Sequence, residues 1–280
     1  MDAEVNPEAG TATTDIEIGL FLEALYLRFH YDFRNYSMAS LKRRIAAALD
    51  EFDCMTVSAL QERLLHEPTT LVTLLKFLTV QVSDMFRDPP FFLVFRERII
   101  PELETYPSLK IWVAGCSTGE EVYSLAITLA EAGLLDRTLI YATDISPEAL
   151  AKAEAGVFGL DRIATFADGY RLSGGKRTLS DYYTEAYGGA AFSRSLRANI
   201  VFSDHSLATD NVFAEVQVVS CRNVLIYFDR ALQERALALF AGSLCRRGFL
   251  GLGARETLQF SSHSAAFRVC SPPERWYQRW

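Results

Sequence analysis

The feature that most constrains the fold is a repeated order of short apolar runs and helical segments after Lys110. The runs "KIWVAGC", "TLIYATD" and "VQVVSCRN" are each followed by a segment in which apolar residues recur at helical spacing. A chain that alternates strands and helices in this way forms a parallel sheet covered by helices on both faces. The closing segment "AFRVCSPPERWYQRW" holds two strand-like runs, which predict an antiparallel hairpin. We therefore predict an α/β fold with a mostly parallel, Rossmann-like sheet and an antiparallel C-terminal edge.

The residues before Lys110 follow a different pattern, because apolar residues recur every three or four positions and no strand alternation occurs. We divide the chain into a flexible tail (1–15), an N-terminal helical domain (16–88), a linker helix (89–109) and the α/β domain (110–280). Within the last part, residues 168–200 contain two Gly-Gly pairs and clustered aromatic side chains. This composition predicts a small antiparallel β insert.

Composition narrows the classes of function. The chain has 280 residues, half of them apolar, and a formal net charge of -7, which disfavours nucleic acid as a partner. No apolar run approaches the roughly 18 residues of a membrane-spanning helix, and the first residues lack the pattern of a secretory signal. The five cysteines and four histidines show no pairing or metal-ligand spacing. We expect a cytoplasmic monomer with free thiols, without a metal and without direct membrane insertion.

The loop Gly115–Glu121, "GCSTGEE", carries two adjacent carboxylates where a strand ends and a helix begins. Ligands of open parallel sheets bind beyond the carboxyl ends of the strands, where this loop is expected. Phosphate-binding loops use backbone amides and often a lysine, whereas two carboxylates repel phosphate. Asp144 ends the next strand, where an acid can accept hydrogen bonds from ribose hydroxyls. The pattern favours a positively charged nucleoside such as S-adenosylmethionine; alternatively, Glu120 and Glu121 only complement the helix dipole.

Four segments resemble the CheR-type chemoreceptor glutamate methyltransferases: "FRDPPFF", "WVAGCSTGEEVYSLA", "ATDISPEAL" and "SCRNVLIYFD". The resemblance extends from about Phe21 onward. It implies a class I methyltransferase domain that depends on S-adenosylmethionine, an N-terminal helical domain and an inserted three-stranded β-subdomain. The implied activity is methyl transfer to glutamate side chains on the cytoplasmic helices of chemoreceptors, with S-adenosylhomocysteine as the product.

The resemblance also implies roles for individual residues. Arg87 is expected near the transferred methyl group, where it orients the substrate carboxylate, and Tyr227 is expected in the active site. Besides Arg87, the implied cofactor-binding residues are Gln81, Ser83, Gly115, Glu121, Asp144, Ser206, Leu207, Asn223 and Val224. The alternatives are a salt bridge between domains for Arg87 and a packed aromatic ring for Tyr227.

A basic segment, residues 28–44, stands out in this acidic chain. It contains one acid, Asp32, and five basic residues: Arg28, Arg34, Lys42, Arg43 and Arg44. In the resembled family a basic helix of the N-terminal domain faces the receptor, so Lys42, Arg43 and Arg44 are expected to bind acidic receptor helices. The alternative is the solvated face of an amphipathic helix.

Several positions depart from the pattern of the resembled family. Gln81 and Ser83 stand where the family shows asparagine and threonine, and Ser206 replaces an asparagine. Val122 replaces a proline, and a late "GHSE" motif reads "GARE" at 253–256. These departures leave two alternatives open. One is a methyltransferase for another carboxylate, and the other is a catalytically weakened regulatory or scaffold protein that binds the cofactor or its product in a chemosensory pathway.

Overall fold

The computed structural model of the chain describes residues 7–280, with side chains from residue 13 onward. The chain divides into two compact units. The helical unit comprises the chain up to Val80 together with Tyr227–Leu232. The larger unit comprises Gln81–Ile226 and Gln233–Trp280.

The helical unit contains these helices in its N-terminal part: α1 (Pro7–Phe29), α2 (Met38–Glu51), α3 (Val57–His66) and α4 (Thr70–Leu78). Apolar residues at helical spacing place Phe21, Leu41 and Leu60 in its core. Thr56 is the N-cap of α3, since its hydroxyl accepts a hydrogen bond from the Ala59 N–H at 3.1 Å. The predicted helical character of this region is confirmed.

The boundaries of the helical region differ from those predicted. Helix α1 begins at Pro7, so residues 7–15 are helical rather than a tail, and residues 1–6 lie outside the described part. A helix that is already fixed by its buried turns extends at small cost, because each added residue gains a hydrogen bond. The division falls after Val80 rather than after residue 88. The reason is that Phe86 is buried in the larger unit and its N–H donates to Ser124 Oγ at 2.9 Å.

The predicted linker helix is part of the larger unit. It runs from α5 (Pro89–Val94) through a π-helical turn (Phe95–Ile99) into α6 (Ile100–Leu103). Phe91, Phe92 and Phe95 pack in the main hydrophobic core. Because this helix buries a row of phenylalanines, it belongs to the α/β unit instead of connecting two bodies.

The described residues contain ten strands. In chain order they are β1 (Leu109–Ala114), β2 (Thr138–Asp144), β3 (Val157–Phe158), β4 (Tyr183–Ala186), β5 (Gly189–Phe192), β6 (Ile200–Asp204), β7 (Val216–Cys221), β8 (Leu244–Leu252), β9 (Phe267–Ser271) and β10 (Trp276–Arg279). The remaining α-helices are α7 (Glu120–Glu131), α8 (Pro147–Ala155), α9 (Ile163–Leu172), α10 (Arg194–Arg197) and α11 (Arg230–Ser243).

The main sheet has seven strands in the order β6-β2-β1-β7-β8-β10-β9. The first five strands of this order are parallel, and β10 is antiparallel to both of its neighbours. Strand residues such as Ile111, Val113 and Val218 are buried, as expected where helices cover both faces of a parallel sheet. The predicted fold class, including the antiparallel C-terminal hairpin, is confirmed.

The β insert forms a three-stranded antiparallel sheet in the order β3-β5-β4. It was predicted at 168–200, but its first strand begins at Val157 and is followed by α9. Two strand residues are too few to produce a visible alternation of apolar and polar residues. Helix α9 forms because Phe166 and Tyr170, four positions apart, bury the same face.

The five cysteine thiols are free, and Cys116, Cys221 and Cys245 are buried. The prediction of free thiols is therefore confirmed. In the part of the chain with described coordinates, no helix has both the length and the apolar content that a bilayer crossing requires. The same residues contain no cluster of three or more histidine, cysteine or acidic side chains suited to a metal ion.

Candidate active site

The loop between β1 and α7 contains three residues in the left-handed conformation, Gly115, Ser117 and Gly119. At Gly115, with φ of +71°, an added Cβ would lie 2.4 Å from Cγ2 of Val224. Glycine is therefore required for two reasons: the backbone conformation, and the close approach of the loop that follows β7. The predicted residues Gly115 and Val224 are brought together at the carboxyl ends of β1 and β7.

Asp144, at the end of β2, is held by backbone donors. Its carboxylate accepts hydrogen bonds from the N–H groups of Ser117 at 2.8 Å and Ser146 at 2.9 Å. Burial raises the pKa of Asp144 above its ordinary value, while these backbone hydrogen bonds act to lower it. The hydroxyl of Ser117 is buried and has no hydrogen-bond partner in the part of the chain that is described. A polar ligand such as a nucleoside fits here, because it would satisfy this hydroxyl.

Glu120 is fully buried and is bound by an arginine from the β insert region. Its carboxylate accepts a hydrogen bond from Arg162 at 2.6 Å and another from the Thr118 hydroxyl at 2.7 Å. Arg162 also forms an ion pair with Asp84 at 2.9 Å and donates to the carbonyl of Ser83. Glu120 is thus occupied within the protein, and the charge of this carboxylate does not serve a ligand cation.

Glu121 is bound by a second arginine. Its carboxylate accepts hydrogen bonds from the Ser220 hydroxyl at 2.6 Å and from Arg222 at 2.9 Å. The buried Arg222 also donates to the carbonyl of Arg87 and to the Asp88 carboxylate, each at 2.8 Å. Arg222 therefore connects the end of β7 to the segment that carries Arg87. Arg222 was not among the predicted site residues, although an arginine at the end of a buried strand indicates an acidic partner.

The turn after β7 is organised by Glu256, which the sequence analysis did not identify as a site residue. The buried Glu256 carboxylate accepts hydrogen bonds from the N–H groups of Gly253 at 2.6 Å, Val224 at 2.9 Å and Asn223 at 3.0 Å. Burial raises the pKa of Glu256, and the backbone hydrogen bonds act in the opposite direction. Asn223 adopts a left-handed conformation with φ of +60°. The last residue of "GARE" thus fixes the backbone of the predicted pair Asn223 and Val224.

The segment 81–88 brings further predicted residues to the same edge of the sheet. The Gln81 amide donates to the Ser146 hydroxyl at 3.0 Å, beside the loop that Asp144 holds. Arg87 is exposed, and its guanidinium has no hydrogen-bond or ion-pair partner among residues 7–280. Its neighbours Phe86 and Asp88 both have positive φ, so the backbone turns sharply around it.

Ser206 and Leu207 follow β6 and form a local turn. The Ser206 N–H donates to the Asp210 carboxylate at 2.9 Å, and its hydroxyl accepts from the Ala208 N–H at 3.3 Å. Leu207 is buried. The N–H of the preceding residue, His205, donates to the Asp144 carbonyl at 3.3 Å. The turn therefore lies beside the end of β2, and the Ser206 hydroxyl accepts one hydrogen bond within it.

The remaining predicted residues belong to the helical unit. Arg44 is only 6% exposed, donates to the Leu78 carbonyl, and its guanidinium lies 4.5 Å from the centre of the Tyr227 ring. Burial lowers the pKa of Arg44. The prediction that Arg44 binds substrate is therefore wrong, because its position on the inner side of α2 makes it part of the core. The predicted role of Tyr227 stays a prediction, and its ring packs on Arg44.

The basic segment is also smaller than its composition suggests. Arg34 forms ion pairs with Asp32 at 2.8 Å and Glu23 at 3.0 Å. Lys42 pairs with Asp15 at 2.5 Å. Arg28 and Arg43 are exposed and have no acidic partner within the described residues.

Comparisons with known proteins agree with this architecture. A family model described as "CheR methyltransferase, SAM binding domain" matches residues 81–275, and one described as "CheR methyltransferase, all-alpha domain" matches residues 16–79. A Pseudomonas putida protein named "Putative methyltransferase Cher3" is 57% identical over 266 residues, which cover 95% of this chain and 97% of that protein. "Chemotaxis protein methyltransferase 2" of Pseudomonas aeruginosa is 32% identical over 202 residues, which cover 71% of each chain.

Similarity to solved structures is weaker. The glycopeptide N-methyltransferase MtfA complexed with sinefungin has 13% identity and a TM-score of 0.37, and the match covers 61% of this chain and 50% of that one. A structural similarity this weak gives no information about the site. The two family models and the relatives decide the assignment: this chain belongs to the CheR methyltransferase family and is a methyltransferase that depends on S-adenosylmethionine.

Proposed function

We propose that this methyltransferase acts on glutamate side chains in the cytoplasmic helices of chemoreceptors, and that it works in the cytoplasm. Relatives named chemotaxis protein methyltransferase, at 31–32% identity in Vibrio cholerae and Pseudomonas aeruginosa, support this substrate class. The observation that carries the proposal is the guanidinium of Arg87, which has no partner among the described residues. Arg222 holds the backbone of Arg87 at the carboxyl edge of the sheet, because it donates to the Arg87 carbonyl. An exposed arginine of this kind can receive a carboxylate substrate in a forked hydrogen bond.

The residues at the carboxyl ends of β1, β2 and β7 are proposed to hold the cofactor. Asp144 would accept hydrogen bonds from ribose hydroxyls, and Ser117 would provide its unsatisfied hydroxyl. Asn223 and Val224, fixed by Glu256, would form the opposite wall. When bound, S-adenosylmethionine supplies a methyl group on a positively charged sulfur.

The methyl transfer requires little from the protein beyond the positioning of the substrate carboxylate. A glutamate carboxylate is already ionised at neutral pH, so the reaction needs no general base. Arg87 would orient that carboxylate and replace the water that it loses on binding. Orientation of the reactants alone can contribute about 7–11 kcal/mol to rate acceleration in favourable cases.

Receptor recognition is proposed for the exposed side of α2. Arg43 is exposed, and Lys42 is half-exposed in an ion pair with Asp15. A receptor helix rich in glutamates could attract Arg43 and compete with Asp15 for Lys42. Such charges at the rim of an interface affect association rates more than they affect stability.

The test is a methylation assay with radiolabelled S-adenosylmethionine and membranes that contain chemoreceptors. We expect label on the receptor that base releases as methanol, as a methyl ester requires. Arg87→Ala should abolish this label while the affinity for S-adenosylhomocysteine, measured by calorimetry, remains. Label on other proteins but not on receptors would instead indicate a methyltransferase for another carboxylate. Unchanged turnover in Arg87→Ala would remove the proposed role of this arginine.

A second candidate function is a member with weakened turnover that serves as a regulator or scaffold. It is favoured by one position that departs from the family pattern, since the side-chain amide of Gln81 donates its hydrogen bond to Ser146 within the protein. The combined variant Gln81→Asn, Ser83→Thr and Ser206→Asn separates the two candidates. If the natural chain labels no receptor and this variant does, the second function is correct. If the natural chain labels receptors at least as fast as the variant does, the second function is excluded.

A further inference from the structure

A second cleft of the larger unit lies in the antiparallel part of the main sheet. It is an open depression of about 490 Å³, lined by Arg246, Arg247, Arg268, Gln278, Arg279 and Trp280. These residues come from the start of β8, from β9, and from β10 and the residue after it.

The cleft is strongly basic in a chain whose formal net charge is -7. Of its four arginines, only Arg247 has an acidic partner within the described residues, Glu102 at 2.8 Å. Arg268 donates to the neutral Gln278 side chain, and Arg279 donates to the Leu244 carbonyl. Like charges that share a cleft repel one another, and they focus a positive potential that attracts anions.

Buried contacts fix the arginines in this arrangement. The side chain of Gln278 is buried, accepts a hydrogen bond from Arg268 Nε at 2.7 Å and donates to the Arg247 carbonyl at 2.8 Å. Arg247 has φ of +67°, a conformation that non-glycine residues rarely adopt. This conformation belongs to a bulge, because the pairing of β7 with β8 shifts between Leu244 and Phe249. Gln278 therefore holds the Arg268 guanidinium and the Arg247 backbone in place, while the Arg247 guanidinium is bound by the half-exposed Glu102.

An aromatic ring borders the basic surface. The side chain of Trp280 is exposed, with 65% of the residue accessible to solvent. Its backbone N–H donates to the Ala266 carbonyl at 3.0 Å, which fixes the position of the backbone. An exposed indole beside guanidinium groups offers a stacking face for a planar base. Guanidinium groups in turn bind phosphate oxygens through paired hydrogen bonds.

We propose that this arginine cleft binds a nucleotide, whose phosphate groups contact the arginines and whose base stacks on Trp280. The site is separate from the cofactor edge. Arg246 lies near the start of β8, whereas Gly253 and Glu256 follow its carboxyl end. At about 3.3 Å per strand residue, Arg246 and Gly253 are roughly 20 Å apart. A nucleotide bound here would leave the methyl-transfer site accessible.

The test uses ATP, inorganic pyrophosphate and adenosine as probes of the full chain at low ionic strength, with saturating S-adenosylhomocysteine present. Trp112 and Trp276 are buried, so quenching of tryptophan fluorescence on ATP binding reports mainly on Trp280. We expect ATP to bind saturably and to quench, pyrophosphate to bind more weakly without quenching, and adenosine to bind poorly.

Substitutions of exposed residues test the assignment, and Arg246→Ala, unlike Arg268→Ala, removes no hydrogen bond to the buried Gln278. Arg246→Ala and Arg268→Ala should each weaken ATP binding by about tenfold, measured by calorimetry, because each removes a charged hydrogen-bond donor. Trp280→Leu should weaken ATP binding by about fivefold or more and leave pyrophosphate binding unchanged. The matched control is Arg194→Ala, an exposed arginine of α10, which should have no effect.

Several results would overturn the proposal. These are the absence of saturable ATP binding, competition between ATP and S-adenosylhomocysteine, and equal effects of the cleft variants and Arg194→Ala. Pyrophosphate binding as tight as that of ATP would reject the base contact and hence a nucleotide ligand. Binding of an oligoglutamate peptide in place of ATP would assign the cleft to an acidic protein partner.

Discussion

Gly115 and Gly133 both adopt left-handed conformations, with φ of +71° and +69°, but their surroundings differ. A Cβ at Gly115 would lie 2.4 Å from Val224 Cγ2, whereas nothing lies within 4 Å of a Cβ at Gly133. Alanine at either position costs roughly 1–2 kcal/mol for the backbone conformation alone. The two glycines therefore allow the effect of close contact to be separated from the effect of conformation.

We predict that Gly115→Ala reduces the free energy of unfolding by about 1–3 kcal/mol more than Gly133→Ala does, because it also pushes the Val224 loop away. It should weaken binding of S-adenosylhomocysteine as well, whereas Gly133→Ala should leave this affinity unchanged. Urea denaturation and calorimetry measure the two quantities. Equal losses in both variants would show that the contact with Val224 is unimportant.

The pairings of Glu120 and Glu121 illustrate what can be predicted for single residues. The sequence places both acids at the beginning of α7, and the structure agrees. Their arginine partners, Arg162 and Arg222, lie 42 and 101 positions further along the chain. Local patterns contain no information about which distant charges meet. For this reason the position of the two acids at the start of α7 could be predicted, but their pairing with arginines could not.

At the scale of elements, a buried carboxylate connects α7 to the β insert. Glu131 accepts hydrogen bonds from the hydroxyls of Tyr170 and Tyr182 and from the Lys176 N–H, and pairs with Arg96 at 2.5 Å. Burial by itself raises the pKa of Glu131, but the hydrogen bond from Tyr170 and the charge of Arg96 outweigh it and hold the pKa below its ordinary value. A carboxylate whose pKa is lowered by folding stabilises the folded state while it is ionised.

Replacement of this carboxylate should have a pH-dependent effect. We predict that Glu131→Gln reduces the free energy of unfolding by about 3 kcal/mol at pH 7, because it leaves Arg96 buried and unpaired. The stabilisation by Glu131 is present above the pKa of the unfolded state and is lost as the pH falls through the folded pKa. The difference between variant and natural chain should therefore shrink towards acid pH. The control is Glu185→Gln, an exposed acid of β4. A pH-independent difference would contradict the account.

Helix α2 carries two adjacent arginines in opposite environments. Arg44 lies on Tyr227 and donates to the Leu78 carbonyl, whereas Arg43 is exposed. We predict that Arg44→Ala reduces the free energy of unfolding by about 1–3 kcal/mol and that Arg43→Ala changes it by less than about 0.5 kcal/mol. Conversely, Arg43→Glu should raise the KM for receptor. If urea denaturation shows equal stability for the two alanine variants, the buried role of Arg44 is wrong.

The elements themselves were predictable to different degrees. Long periodic segments such as α2 and α7 have enough apolar positions to reveal both their helical period and their buried face. The two residues of β3 do not, and the insert was consequently placed too late in the chain. The free positive charge of the basic segment was overestimated, because composition does not show that Arg34 and Lys42 form ion pairs with acids.

At the scale of the whole molecule, the alternation of strands and helices determines where a ligand can bind. Parallel strands β1, β2 and β7 end at one edge, so the side chains that follow each strand meet there. That rule places Gly115, Asp144 and Asn223 at the same edge without knowledge of any contact. The buried residues that hold this edge together, Arg222 and Glu256 above all, emerge only from the packed structure.

The most direct test of this account is calorimetric titration with S-adenosylhomocysteine. We predict one binding site in the natural chain and an affinity about tenfold or more weaker in Asp144→Asn, because the amide replaces an acceptor of ribose hydroxyls. The matched control is Asp136→Asn, since Asp136 is exposed just before the opposite end of the same strand β2, and this variant should bind S-adenosylhomocysteine as tightly as the natural chain. If the natural chain gives no heat of binding, or if Asp144→Asn binds as tightly as the natural chain, the cofactor does not occupy the carboxyl edge of this sheet.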